Sequence, residues 1–353
     1  MNPFKFGTIV QNEYFTDRVL ELEKVKQLLD SENHLVLISP RRFGKSSLVA
    51  KALVQLGRPS ITIDFMKVLS VENLAAQILR GVFRLYKMEK IKHMMSHFRI
   101  APTVSYNPMT DGWDVSFMPS VENSSVILED AMELVAKVTS PEKRLIVVLD
   151  EFQEINEIDK TLAKQLRAII QRQEGLNYIF MGSLESMMDE IFEKKKSPFY
   201  HFGQRMNLKK IPHDDFLDYL VNRLPEMPED RKLAICNDIL SFTHEHPYYT
   251  QQLAAAVYNC IVYQGLVENV VENAIVQQVA EHDLDYERLW TGMNRTDRRI
   301  LQVLARQNNP LTDRSLPTST TFSALKRLVK RGYVIKTTTY ELEDPFFGRW
   351  ILH

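Results

Sequence analysis

The chain has 353 residues, enough for two or three domains, and its 44% hydrophobic residues support a sizeable core. No apolar run approaches the roughly 20 residues that cross a bilayer, so the sequence predicts no membrane-spanning segment. The N-terminal residues lack the basic and apolar regions of a secretory signal. The two cysteines, Cys236 and Cys260, lack metal-ligand spacing, and we expect them to be buried free thiols of a cytoplasmic protein.

The formal net charge is only −1, but the charge is unevenly distributed along the chain. Residues 289–353 contain 11 Lys or Arg and 5 Asp or Glu, a local balance of +6 that leaves −7 for the remainder. A basic C-terminal segment on an acidic body is typical of a protein in which that end meets an anionic partner.

Apolar runs of strand length alternate with helical patterns over the first 212 residues. Residues 19–29 space their apolar side chains at helical intervals, with Thr16 or Asp17 as the expected N-cap. Strands that alternate with helices predict a three-layer α/β core with a parallel sheet. The expected strands are residues 34–38, 61–65, 145–149, 176–181 and 206–211.

A segment that fits neither pattern interrupts this core at about residues 94–122. Within it, residues 106–113 read Tyr-Asn-Pro-Met-Thr-Asp-Gly-Trp and are flanked by alternating residues, which indicates a β-hairpin. No role for this insertion follows from its residues.

The pattern beyond Pro212 contains helices alone, and it changes again near Asn294. A helix over 297–305, a helix over 320–331 and strand-like runs at 332–335 and 340–342 are typical of a winged-helix module. We therefore predict three domains: an α/β core over 1–212, a helical domain over 213–288 and a winged helix over 289–353.

A phosphate-binding loop is predicted where the first strand meets the next helix. Residues 39–46 read Ser-Pro-Arg-Arg-Phe-Gly-Lys-Ser, which matches the pattern G-x-x-x-x-G-K-[ST] except for Ser39 in the first position. Successive backbone N–H groups and a helix N-terminus surround a phosphate in such loops. Gly44 would allow close approach of the main chain, Lys45 would reach the β- and γ-phosphates, and Ser46 would ligate Mg²⁺.

An acidic pair follows the buried strand at residues 145–149. Asp150 and Glu151 are expected at the carboxyl edge of the sheet, where open α/β sheets bind ligands. Asp150 would hold the Mg²⁺ shell, and Glu151 would polarise the attacking water. A nucleotide binder without turnover needs no base beside the metal, so Glu151 favours an enzyme.

The sequence leaves alternatives open at four other polar residues. Ser183 follows the next strand. There it either contacts the γ-phosphate or water, or is an ordinary residue of a turn. Arg205 is an arginine finger, in cis or toward a neighbouring subunit, or a surface ion-pair residue. Arg41 and Arg42 contact phosphate or a partner.

With these motifs the sequence resembles the archaeal-type ATPase family, a branch near the STAND and origin-recognition-like AAA+ proteins that also occurs in bacteria. The resemblance covers nearly the whole chain and rests on the combination of several short motifs. These are Asn-Pro-Phe at 2–4, Phe-Thr-Asp-Arg at 15–18, the phosphate loop through Leu48, Leu-Asp-Glu-Phe-Gln at 149–153, Gly-Ser at 182–183, Gly-Gln-Arg at 203–205, His-Pro-Tyr-Tyr at 246–249 and Asp-Pro-Phe-Phe-Gly-Arg-Trp at 344–350.

The resemblance implies a five-strand AAA+ core, an α-helical lid and a winged helix that together use ATP and Mg²⁺. It also implies that residues 6–10 lie near the adenine and that Pro247 of the lid approaches the nucleotide, whereas the residues alone indicate only a helix start with proline in its first turn. The expected catalytic residues are Lys45, Glu151, Ser183 and Arg205, and the expected metal ligands are Ser46 and Asp150. The expected nucleotide-binding residues are Ser39, Pro40, Arg41, Arg42, Phe43, Gly44, Lys45, Ser46, Ser47 and Pro247.

The C-terminal module leaves the choice of partner open. Its second helix places Phe322, Leu325, Leu328 and Val329 on a predicted apolar face. The basic residues would then lie on the opposite face, as contact with DNA phosphates requires, or on a solvated face of a module that contacts protein. These basic residues are Lys326, Arg327, Lys330 and Arg331. We therefore expect an ATP-hydrolysing switch, and the alternative is a nucleotide-stabilised DNA-binding regulator with little turnover; a protein partner or a homo-oligomer also remains open.

Overall fold

The structure is a computed structural model that describes residues 1–16, 18–109, 111–117, 124–141, 143–266, 268–313 and 316–353. Asp17 and the end of the insertion, residues 118–122, lie outside the described residues. The chain divides into two compact units. One unit comprises Val19–Pro40 and Leu48–Leu208, and the other comprises Met1–Arg18, Arg41–Ser47 and Lys209–His353.

A five-strand parallel sheet is the centre of the first unit. Its strand order is β2-β5-β6-β1-β7, and every pairing within it is parallel. Because the strands are parallel, the carboxyl ends of β5, β6 and β1 lie side by side at one edge. The strands of this unit are β1 (Leu35–Ile38), β2 (Ser60–Asp64), β3 (Thr103–Asn107), β4 (Gly112–Ser116), β5 (Ile146–Asp150), β6 (Asn177–Gly182) and β7 (Gln204–Asn207).

Burial on both faces explains the continuous apolar sequences of the central strands. Every residue of β1 and β6 is buried, as expected for strands covered by helices on both sides. The connecting helices are α1 (Val19–Asp30), α2 (Lys45–Leu56), α3 (Val71–Leu85), α4 (Met88–Met95), α5 (Ser124–Val138), α6 (Ile155–Ile158), α7 (Leu162–Ile170) and α8 (Glu185–Phe192). A 3₁₀ helix over Phe152–Glu154 follows β5.

The predicted hairpin in the insertion is confirmed as the antiparallel pair β3 and β4. Val115 of β4 is 1% exposed, and the ring of Trp113 packs edge-on against Phe83 of α3. Arg99, which precedes the hairpin, pairs with the buried Asp130 of α5. These contacts anchor the hairpin to the helices of the sheet unit.

The second unit is built mainly from helices. A separate antiparallel pair of short strands lies near its C-terminus. The elements are α9 (His213–Val221), α10 (Glu229–Thr243), α11 (Pro247–Gln264), α12 (Val270–Glu281), α13 (Asp283–Thr291), α14 (Arg295–Ala305), α15 (Thr318–Lys330), β8 (Val334–Lys336), β9 (Tyr340–Leu342) and α16 (Pro345–Ile351). The region from α14 to the C-terminus is called the C-terminal module below.

Some boundaries and one face differ from the sequence-based expectations. The fifth strand ends at Asn207 instead of residue 211, because only residues 204–207 pair with β1. The sequence predicts Phe322 on the apolar face of α15, but this residue is 55% exposed while Leu325 and Leu328 are buried. Both cysteines are buried free thiols, as predicted. In the part of the chain that the structure describes, no helix is long and apolar enough to cross a membrane.

Candidate nucleotide site

The loop between β1 and α2, which was predicted to bind phosphate, contains two residues with positive φ angles. Arg42 and Gly44 have positive φ angles of 64° and 90°, whereas Ser39 does not. The left-handed conformation favours glycine at position 44, even though an added Cβ would meet no atom within 4 Å. Ser39 continues the sheet instead, because its N–H donates to the carbonyl of Gly182 at 3.3 Å. Serine in the first position of the motif is therefore accommodated without strain.

Helix α2 begins at Lys45, so its first turn contains the last residues of the motif. The first backbone N–H groups of a helix have no partner within the helix and carry a partial positive charge, which attracts anions. Lys45 is 6% exposed and Ser47 is 9% exposed. The Ser47 hydroxyl accepts a hydrogen bond from the N–H of Val10 at 2.9 Å, which joins the N-terminal segment to the loop.

Arg42 of the loop contacts residues far away in the sequence. One guanidinium nitrogen, Nη1, donates to the hydroxyl of Tyr249 and lies 3.3 Å from Oε1 of Glu343. The guanidinium also lies over the ring of Tyr248, 4.8 Å from its centroid. Tyr249 in turn donates to Oε2 of Glu343 at 2.8 Å. One arginine therefore connects the loop, the first turn of α11 and the C-terminal module.

The electrostatics of this cluster combine burial with opposite charge. Burial opposes the charged form of Arg42, but the nearby Tyr249, Glu343, Tyr248 and Asp344 together outweigh it, so the pKa of Arg42 is raised. The Glu343 side chain is 11% exposed, and this burial raises its pKa although Arg42 and Tyr249 act to lower it. Burial likewise raises the pKa of Asp344.

Phe43 and the start of α11 form the apolar side of the same cluster. The Phe43 ring packs edge-on against His246 at 5.0 Å between centroids. His246 is the N-cap of α11, and its Nδ1 accepts from the N–H of Tyr248 at 3.3 Å. Burial, assisted by Lys210 and Arg42, lowers the pKa of His246 to about 3. Pro247 is the first residue of α11, and the ring of Phe6 contacts that of Tyr248 at 5.8 Å.

The acidic pair lies at the carboxyl end of β5, as predicted. Asp150 ends the strand, and Glu151 follows in the left-handed region with φ 50° and ψ 43°. A residue other than glycine in that region carries strain of about 1–3 kcal/mol, and such residues cluster at functional sites. The Ser183 hydroxyl donates to Oε2 of Glu151 at 2.6 Å. The structure therefore joins two of the predicted catalytic residues directly.

Gln153 is a polar contact of Glu151 that the sequence-based prediction missed. It is completely buried, and its Nε2 lies 2.5 Å from Oε2 of Glu151. In the sequence Gln153 is the last residue of the Leu-Asp-Glu-Phe-Gln motif at 149–153, and that position by itself assigns it no role. The burial of Gln153 among the aromatic residues around the 3₁₀ helix depends on tertiary packing, which the motif does not indicate.

Arg205 forms ion pairs with two carboxylates of α8 and with Glu193, which follows that helix. Its guanidinium contacts Asp189 at 2.6 Å, Glu185 at 3.1 Å and Glu193 at 3.5 Å. A role as an arginine finger requires release from these carboxylates and stays a prediction. Arg41 is exposed.

Mg²⁺ stays a predicted cofactor of the candidate site. Among the described residues, no group of three or more His, Cys, Asp or Glu side chains is arranged to hold a metal ion. Mg²⁺ at a nucleotide takes most of its oxygen ligands from phosphates and water and needs only one or two protein groups. Ser46 and Asp150 stay the predicted Mg²⁺ ligands.

Comparisons with known proteins agree with the motifs. The sequence profile described as an ATPase domain predominantly from Archaea matches residues 15–253. The structure is similar to the Walker-type ATPase PABY2304 of Pyrococcus abyssi, with a TM-score of 0.64, 18% identity and 97% coverage of both chains. A comparison with curated proteins finds no match.

Two further solved structures are similar to this chain. The ORC2 protein of Aeropyrum pernix, in ADPNP–ADP complexes, has a TM-score of 0.58 and 14% identity, with 99% of this chain and 97% of that chain covered. The ORC1 protein of Aeropyrum pernix, in complex with DNA, has a TM-score of 0.52 and 12% identity, with 96% and 92% covered. At these identities the solved structures support the fold alone.

Proposed function

Because the chain belongs to the family of ATPase domains found predominantly in Archaea, we propose that it binds ATP with Mg²⁺, hydrolyses it to ADP and phosphate, and acts as a switch. Residues 39–47 bind the phosphates through the N-terminus of α2, and Lys45 contacts the β- and γ-phosphates. The N-terminal segment supports this assignment, because Val10 contacts Ser47 and Phe6 packs on Tyr248 beside Pro247. These residues would surround the adenine.

Glu151 is the general base of the proposed reaction. Its carboxylate accepts a proton from water as the water attacks the γ-phosphorus, and Ser183 holds the carboxylate in position. Mg²⁺, held by Ser46 and Asp150, would neutralise charge that develops on the phosphate oxygens. The left-handed backbone of Glu151 supports this role, since strain is retained where the surrounding structure requires it.

The switch proposal assigns α9–α13 as a lid and the C-terminal module as a winged helix. The observation that carries it is the ion pair between Arg42 of the phosphate loop and Glu343 of the module. A phosphate that competes for Arg42 would weaken this ion pair, so the nucleotide state and the position of the module would be coupled. Tyr249 extends the same coupling to the lid, because it contacts both side chains.

The experiment that tests hydrolysis is Mg²⁺-dependent phosphate release from ATP. We expect Lys45→Ala to lose nucleotide affinity and turnover together, and Glu151→Gln to retain affinity while turnover falls by about 100-fold or more. Glu157→Gln is the matched control, because Glu157 is an exposed carboxylate nearby in the sequence. Wild-type turnover in the Glu151→Gln protein would exclude Glu151 as the base.

The experiment that tests the coupling is nucleotide affinity in Glu343→Gln protein. Coupling is reciprocal, so loss of the ion pair should change ATP affinity by about 5-fold or more. Glu341→Gln is the control, because Glu341 pairs with Lys210 and not with a residue of the phosphate loop. Equal ATP affinity in wild type and Glu343→Gln would contradict the coupling.

A second candidate function is a nucleotide-stabilised DNA-binding regulator with little turnover. Lys326 and Lys330 are exposed on α15, and the fold is similar to that of an ORC1 protein in complex with DNA. A Lys326→Glu/Lys330→Glu protein should then lose DNA affinity, with a steep salt dependence in wild type. Tight nucleotide binding without turnover in the wild type would favour this function, and no DNA binding at low salt would exclude it.

A further inference from the structure

We propose that Gln153 is a positioning residue that orients Glu151 for proton transfer, and this inference rests on the proposed hydrolysis. Gln153 and Ser183 both donate to the same carboxylate oxygen, Oε2 of Glu151, at 2.5 Å and 2.6 Å. Two donors on one oxygen set the rotation of the carboxylate. They leave Oε1 as the oxygen that receives the proton.

The orientation of the Gln153 amide follows from its neighbours. Its Nε2 lies near two carboxylates, Glu151 and, at 3.5 Å, Glu154. Its Oε1 is buried and has no hydrogen-bond partner among the described residues. The reversed amide would place the lone pairs of Oε1 against the Glu151 carboxylate, which is repulsive. In this orientation the amide nitrogen donates to Glu151, and the amide oxygen is left without a hydrogen bond among the described residues.

Packing holds Gln153 in this place. It lies in the 3₁₀ helix that follows Glu151, beside Phe152, which is completely buried and contacts the rings of Phe180 and Phe199. Gly182 provides the space for the amide, because a Cβ on Gly182 would lie 2.8 Å from Oε1 of Gln153. A side chain fixed by packing loses little entropy when it orients a base, and such positioning residues support catalytic geometry.

The proton transfer that this geometry serves is simple to balance. The proton of the attacking water moves to Oε1 of Glu151, and the water oxygen forms a bond to the γ-phosphorus. The bond from that phosphorus to the β–γ bridging oxygen breaks, and its electron pair leaves with ADP. Gln153 forms no bond to the reacting atoms and acts only through Glu151.

The test compares Gln153→Met and Gln153→Glu with wild type. Met fills a similar volume without a donor, so we expect kcat to fall between about 10- and 100-fold while the Kd for a fluorescent ADP analogue stays within about twofold. Glu has the shape of Gln, but its carboxylate repels Glu151 unless the pair holds a proton. We therefore expect the kcat of Gln153→Glu to have its optimum at lower pH than that of wild type.

The possible outcomes separate the two proposals. Active wild type with an unchanged kcat in Gln153→Met, or an unchanged pH profile in Gln153→Glu, overturns the role of Gln153 and leaves the hydrolysis intact. Wild type without turnover overturns the hydrolysis itself, and the role of Gln153 falls with it. If Gln153→Met does not fold, as judged by thermal unfolding, the pH profile of Gln153→Glu still decides the question.

Discussion

Arg42 and Glu343 are 301 positions apart in the chain, yet their side chains form an ion pair at 3.3 Å. The arginine belongs to the phosphate loop, and the glutamate follows the last strand of the C-terminal module. Glu343 is nearly buried, whereas the Arg42 side chain is 47% exposed. The buried partner therefore depends on Arg42 and Tyr249 for compensation of its charge.

A double-mutant cycle measures the strength of this ion pair. The free energy of unfolding of wild type, Arg42→Ala, Glu343→Gln and the double variant should give a coupling of about 1 kcal/mol, reduced from the value for a buried pair by the exposure of Arg42. Arg41→Ala combined with Glu343→Gln is the control, because Arg41 is exposed. Equal coupling energies in the two cycles would show that the ion pair contributes nothing specific.

His246 should make the protein less stable in mild acid. Burial lowers its pKa from the unfolded value of 6.5 to about 3 in the fold. The contribution of neutral His246 to the free energy of unfolding is therefore fully present above pH 6.5 and is lost progressively as the pH falls toward 3. At pH 5 the loss relative to neutral pH should be about 2 kcal/mol.

The variant that tests this pH effect is His246→Asn. Asn keeps an N-cap for α11 but does not titrate. Its free energy of unfolding should decrease less than that of wild type between pH 7 and pH 5. The pKa of His34 is also lowered, to about 4, so His34 decreases the free energy of unfolding in acid by the same amount in both proteins. Identical pH slopes in the two proteins would show that His246 is protonated normally in the fold.

Arg327 should stabilise the C-terminal module, although the sequence placed it with the residues that could contact DNA. It contacts Asp297 at 2.5 Å, and the Asp297 side chain is completely buried. Arg327→Ala would leave that carboxylate without its nearest cation and should lower the free energy of unfolding by about 1–2 kcal/mol. Lys326→Ala, at an exposed position, should change it by less than about 0.5 kcal/mol. Equal free energies of unfolding in Arg327→Ala and Lys326→Ala would contradict the structural role of Arg327.

Gly182→Ala should reduce turnover without changing the chemistry of any side chain in the site. The new Cβ would displace Gln153 and Met188, so the support of Glu151 would be disturbed. Gly81→Ala is the matched control, because its Cβ would meet Ile61 of β2 instead. Both substitutions should destabilise the fold by about 1–3 kcal/mol. Only Gly182→Ala should lower kcat at temperatures where both proteins are folded, and an equal effect on kcat would contradict this prediction.

The sequence predicted those features that depend on neighbouring residues. The apolar runs before Ser39 and Asp150 identified strands because a strand buried on both faces must be apolar throughout. The loop from Ser39 to Ser46 identified phosphate chemistry because a glycine, a lysine and a hydroxyl are needed in fixed order along a strand-to-helix turn. The positions of Asp150 and Glu151 at the carboxyl edge followed from the same local pattern.

Only the tertiary structure decided which distant residues meet. No periodicity indicates that Arg42 pairs with Glu343 or that Arg327 pairs with Asp297, because these contacts depend on how the elements pack. The same reason explains the error at Phe322, whose helical spacing fits an apolar face although the packed face of α15 is centred on Leu325 and Leu328. Chain order and spacing determine local conformation and the chemistry of a motif, whereas burial and charge pairing belong to the folded chain as a whole.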